Sequence, residues 1–109
     1  MSAKTDRIRM LNDELRKYLI GGGAVMTPGI AALGPEAVKR LVQTLSTYSD
    51  FCTNTDPYTE HDFGKFRFDD HEVIFKIDYY DKSLSHHSPD PSDPAVTERV
   101  ITLMLAEEY

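Results

Sequence analysis

Apolar and polar positions alternate most cleanly between Phe66 and Tyr80. Val73, Phe75, Ile77 and Tyr79 fall on one side of an extended chain, because successive side chains point to opposite faces of a strand. Ile74, Lys76, Asp78 and Tyr80 take the other, mixed face. One buried and one half-wet face is the pattern of an antiparallel sheet. Upstream, Phe66 and Phe68 share a face while Lys65 and Arg67 take the opposite one. Asp69-Asp70 between the two runs predicts a turn, since Asp tolerates turn conformations and bonds nearby backbone amides. It is a weaker hairpin marker than Asn-Gly. The pattern predicts Phe63–Phe68 folding back on Val73–Tyr80.

A different period governs the first half. Ile8, Leu11, Leu15 and Leu19 recur at helical spacing, with Arg7, Arg9, Asp13, Glu14 and Lys17 outside. This predicts frayed residues 1–4 and a helix capped by Thr5 or Asp6, running to Tyr18 or Leu19. Gly21-Gly22-Gly23 then ends it, glycine being free to take the left-handed conformation. Neither a Walker lysine nor dinucleotide-fingerprint spacing follows, so the triple glycine reads as a helix-to-strand turn. Ala24 to Thr27 reads as a short strand, Pro28-Gly29 as a turn and Ile30–Leu33 as a packed connector. Gly34-Pro35-Glu36 opens a second helix with Val38, Leu41, Val42, Leu45 and Tyr48 inward, ending near Ser49 or Asp50. Residues 52–60 form a polar loop, and residues 81–94, with three prolines and four serines, an exposed one. The segment after it fits either a helix, through Val96, Val100, Leu103 and Met104, or a strand. A strand from Arg99 to Leu105 is expected, because a lone hairpin is marginal. The expected fold is α+β, two helices packed on a small antiparallel sheet in the order α-β-α-β-β-β, in one domain spanning residues 1–109.

Composition narrows the function classes. Eighteen acidic against twelve basic residues give a net charge of −6. That sign disfavours direct nucleic-acid binding, which needs clustered cations, and favours a basic protein partner. Cys52 is the only cysteine, so no intramolecular disulfide can form, in keeping with a reducing compartment. No apolar run approaches the roughly 18 residues of a membrane span. Charges at Lys4, Asp6, Arg7 and Arg9 interrupt any signal-peptide core. A cytoplasmic location, no membrane association and no cofactor are expected.

Several strings carry a resemblance. They are Val25-Met26-Thr27, Gly29-Ile30-Ala31-Ala32-Leu33, Asn54, Asp56-Pro57-Tyr58 and Glu60-His61-Asp62-Phe63-Gly64. Lys76-Ile77-Asp78-Tyr79-Tyr80-Asp81, Asp93-Pro94 and the ending Leu103-Met104-Leu105-Ala106-Glu107-Glu108-Tyr109 extend them. Together they resemble a family of small proteobacterial proteins, catalogued as domain of unknown function 3768 and often carried on plasmids or other mobile elements. The resemblance implies a genetic context and no activity, and it brings no catalytic residues.

Candidate chemistry gathers around the hairpin. Glu60, His61 and Asp62 precede its first strand, while Asp78 and Asp81 end its second. An antiparallel hairpin brings those ends together, with Tyr58, Tyr79 and Tyr80 nearby. These eight residues form the candidate binding site. Within it, His61, Asp62 and Asp78 are the metal-ligand candidates, and the carboxylates with the imidazole could do acid–base work. The plainer reading is that His61 and Asp62 orient the loop while Asp78 and Asp81 cap turns. The spacing matches no metal signature. His86-His87 reads as a solvated pair and Cys52 as a buried or idle thiol. Tyr79 and Tyr80 must point to opposite faces. The leading expectation is a non-enzymatic protein-interaction module. Asp56, Glu60, Asp62, Asp78, Asp81, Asp90 and Asp93 would form an acidic surface meeting host or defence machinery. The alternatives are a small metal-dependent hydrolase using Glu60-His61-Asp62 with Asp78 and Asp81, and a small-ligand binder.

Overall fold

The computed structural model describes residues 2–109. Helix α1 (Ala3–Tyr18) starts earlier than the pattern predicts, because Ser2 is the cap and its hydroxyl accepts from the Thr5 amide. Met1 lies outside the described residues. The helix closes on Leu19 at φ 56, whose amide bonds to the Leu15 carbonyl, so a leucine and not a glycine takes the left-handed cap. Strand β1 (Gly23–Met26) follows, then a single helical turn α2 (Pro28–Ala31) across the expected Pro28-Gly29 turn and the start of the expected Ile30–Leu33 connector. Helix α3 (Pro35–Ser46) begins on its proline and stops at Thr47, short of Ser49.

The hairpin forms as the alternation predicts. Strand β2 (Phe63–Phe68) pairs antiparallel with β3 (His71–Tyr80) across Asp69-Asp70, with Asp69 at φ 52. Residues Glu98–Leu105 form β4, settling the helix-or-strand choice for the strand. A short 3₁₀ turn, Ala106–Glu108, ends the chain.

The sheet corrects one expectation. Its order is β1-β4-β3-β2, and β1 runs parallel to β4, so the sheet is mixed and not antiparallel. A parallel neighbour needs a long crossover. Here that crossover comprises α2, α3 and the whole hairpin. Nothing in Gly-Ala-Val-Met states a direction, so the pairing was not readable locally.

One sheet face carries the core. Val73, Phe75, Ile77, Ile101 and Leu103 cluster there with Ile8 and Leu15 of α1 and Leu41 and Leu45 of α3. Register places Ile77 opposite Ile101 and Tyr79 opposite Arg99. Close packing fixes Gly64, because a Cβ there would fall 2.2 Å from the Phe75 ring and 2.6 Å from the Tyr48 ring. The proline-rich segment is less exposed than predicted. His87 bridges to Tyr80, the Ser88 amide bonds to the Tyr79 carbonyl, and Ser88 and Ser92 are buried. Serine and aspartate side chains satisfy its backbone, as with Asp90 and the Ser92 amide. Among the described residues, no helix is long and apolar enough to cross a membrane.

Candidate functional site

The loop before β2 is held by one buried carboxylate. Asp56 accepts from the Glu60 amide at 2.9 Å and the His61 amide at 3.2 Å. The loop reaches its shape through left-handed backbone at Thr59 (φ 56) and His61 (φ 58). Such conformations are uncommon outside glycine and cost energy unless the surroundings enforce them. What they achieve is the placement of the His61 ring. It stacks on Phe51 at 3.8 Å between centroids and 4° between planes. Its Nδ1 lies 2.8 Å from Asp13 Oδ1, an oxygen that also accepts from Arg16 Nη1 at 2.7 Å. With Asp13 ionised, Nδ1 of the neutral ring carries the proton and Nε2 is left as acceptor.

Next to it lies a closed network. The Tyr79 hydroxyl donates to Glu60 Oε1 at 2.8 Å and accepts from Asn12 Nδ2 at 2.7 Å. Asn12 also donates to the Glu60 carbonyl and accepts from Arg99 Nε at 2.8 Å. Arg99 donates further to the Pro91 carbonyl, and its guanidinium sits over the Tyr79 ring. Burial pushes the Tyr79 hydroxyl's pKa well up and pulls that of Arg99 down. Asn12 and Arg99 are fully buried and their donors meet acceptors, so this network specifies α1 against the sheet.

The predicted site residues therefore divide. Glu60 and Tyr79 meet through a hydrogen bond. Asp62 is half-buried, and burial, helped by the carboxylates of Glu60, Asp56 and Asp78, pushes its carboxyl up to about 6. Asp78 is held by Lys76 at 2.8 Å. Asp81 turns into its own loop, accepting from Ser83 and Ser85. Tyr58 is exposed, and Tyr80 lies on the sheet face opposite Tyr79. The His61 ring pairs with Asp13. Among the described residues, no group of three or more His, Cys, Asp or Glu is placed to hold a metal ion. His86 and His87 part, the first near Asp81 and the second against the Ser88 carbonyl. Cys52 is exposed, not buried, with its thiol against the Thr55 hydroxyl.

The expected acidic surface is largely engaged inside the molecule. Asp56 is buried, Glu60 accepts from Tyr79, Asp90 accepts from Ser92, and Asp93 accepts from the Ala95 amide. Several of these carboxylates thus close the loops around the hairpin.

Sequence reasoning missed Asn12, Asp13, Arg16, Phe51 and Arg99. The available clue was that Asn12 and Arg16 stand four and eight residues after Ile8, on the stripe that α1 buries. The structure also exposes a surface that the pattern did not single out. All four residues of β1 are exposed. Leu19, Ile20, Val25 and Met26 are each 41–53% accessible. Ala24, Val25 and Met26 line an apolar groove with Leu19, Val38 and Val42.

No curated protein and no solved structure gave a significant match. A family model described as protein of unknown function (DUF3768) matches residues 26–108. That span runs from the end of β1 through the hairpin to the last turn, and on it the chain belongs to the DUF3768 family.

Proposed function

We propose that this protein is a non-enzymatic protein-interaction module that docks a basic partner segment as an added strand along β1. One observation carries the reading: β1 is a sheet-edge strand with every residue exposed and no charged residue. Proteins usually protect edges with charge, proline or a covering element. The Thr27 amide bonds to the Leu103 carbonyl, so the amides two residues apart, at Val25 and Thr27, face β4. By alternation, the Ala24 and Met26 amides and carbonyls face outward. An added strand would satisfy them and place alternate apolar side chains in the neighbouring groove, the usual mode of strand addition. Charge selects the kind of partner. Two copies at −6 each repel, whereas a segment flanked by Lys or Arg is attracted. The family resemblance suggests a mobile-element setting in proteobacteria, with host or defence machinery supplying that segment.

The test is selection of binders from a library of extended peptides. Selected sequences are expected to alternate apolar residues and carry basic flanks. Ala24→Pro removes one outward amide without touching the β4 ladder, and it should weaken binding tenfold or more, roughly the loss of one hydrogen bond and some fit. Binding unchanged in both Ala24→Pro and Val25→Lys would overturn the proposal, as would a stable homodimer that Val25→Lys dissociates.

A further inference from the structure

The C-terminal ends of α1 and α3 and the His61 loop enclose an open polar cleft of about 560 Å³ that β1 does not line. Its walls include Asp13, Arg16, Lys17, Ser49, Phe51 and His61. Arg16 is the unusual member. Its side chain is only 2% exposed and its guanidinium lies over the Phe51 ring; among the described residues its one hydrogen bond runs from Nη1 to Asp13, and the buried Nε finds no acceptor. A guanidinium has five N–H donors, and burying it with donors unmatched is expensive. The Asn12–Arg99 network shows the contrast, since Arg99 reaches both a side-chain and a backbone acceptor.

We propose that this cleft binds the oxyanion group, carboxylate or phosphate, of a small ligand. Arg16, held by Asp13, and the exposed Lys17 supply two positive charges. The facing acid, Asp13, is already shared between Arg16 and His61. The C-terminal ends of α1 and α3 also approach this region, so their dipoles oppose an anion and the Arg16–Lys17 pair must outweigh them. Half-saturation therefore falls in the millimolar range for a bare ion, and a larger ligand gains through contact with the exposed edge of the Phe51–His61 stack. His61, held by Asp13, Phe51 and its own left-handed backbone, presents Nε2 as a fixed acceptor for a hydroxyl on the same ligand.

The experiment is an NMR titration of the ¹⁵N-labelled chain with sodium phosphate, sodium acetate and sodium chloride at one ionic strength. Expected is a saturable shift of the Arg16 Nε–Hε signal with phosphate or acetate, and none with chloride. The stronger of the two identifies the ligand's group as phosphate or carboxylate. Lys17 is exposed, so Lys17→Ala keeps the fold, and it should weaken the effect about five- to tenfold, the equivalent of one charge contact. Chloride reproducing the shifts, shifts that never saturate, or an unaltered titration in Lys17→Ala would overturn the proposal. Because β1 lies outside this cleft, its peptide binding is read separately, and either result can fail without the other.

Discussion

The two edges of the sheet are treated in opposite ways. On β2, Lys65 and Arg67 charge one face, and the Tyr109 ring lies against Phe63 at 5.7 Å. On the other face, Tyr48 packs against Phe66 and Phe75 and presses on Gly64, and Arg40 covers Phe68 while reaching Asp69. β1 has none of this. It contributes Gly, Ala, Val and Met, all exposed, beside a groove that α1 and α3 leave uncovered. Charge and aromatic cover make β2 a finished boundary, whereas β1 keeps the hydrogen-bonding and apolar capacity to accept another strand.

Substitutions can break this contrast at different strengths. The middle of the sheet sets the scale. Arg99→Ala on β4 leaves Asn12 and the Pro91 carbonyl without their donor and opens a cavity. The expected loss is on the order of 3 kcal/mol, measured by urea unfolding. At the finished edge, Gly64→Ala forces a methyl into the Phe75 and Tyr48 rings and should cost about 1–3 kcal/mol. A loss below half a kcal/mol would mean that β2 is not packed as described.

Next in size is a pH effect at the entry to β2. The Asp62 carboxyl is raised to about 6 in the folded state, above the ordinary value of 3.8. The folded protein therefore binds this proton more tightly than the unfolded chain does. The stabilisation is fully present below the unfolded value and is lost as pH rises through about 6. Asp62→Asn removes the burden of the buried charge. Allowing for partial solvation, it should be more stable than the parent by about 1–2 kcal/mol at pH 8 and equal to it near pH 4. A difference independent of pH would contradict that environment. Smallest of all, Val25→Lys on β1 should change stability by less than about 0.5 kcal/mol while abolishing peptide binding.

Much of the protected half was legible in the sequence. Alternation from Phe66 to Tyr80 encodes both the strands and their inward face, because a one-residue slip would bury Lys76 and Asp78 and expose Phe75. The β4 strand followed from the need of a hairpin for a third partner. In the open half the short strand was read, at Ala24–Thr27, but its place and direction in the sheet were not. Four small apolar residues carry no period, and the parallel pairing of β1 with β4 joins positions such as Ala24 and Ile101 that no local pattern connects. α2 is one turn, too short to show helical spacing. The convergence of Glu60 with Tyr79 followed from hairpin geometry. The pairing of His61 with Asp13 did not, since it depends on how α1 docks, and a charged residue beside an apolar stripe reads as solvent-facing.

Amide hydrogen exchange along β1, with and without a selected basic peptide, tests the docking edge most directly. The account predicts that Ala24 and Met26 exchange fast in the free protein and become protected on binding, while Val25, already turned toward β4, changes little. Protection appearing instead on β2, or slow exchange at Ala24 and Met26 in the free monomer, would contradict it.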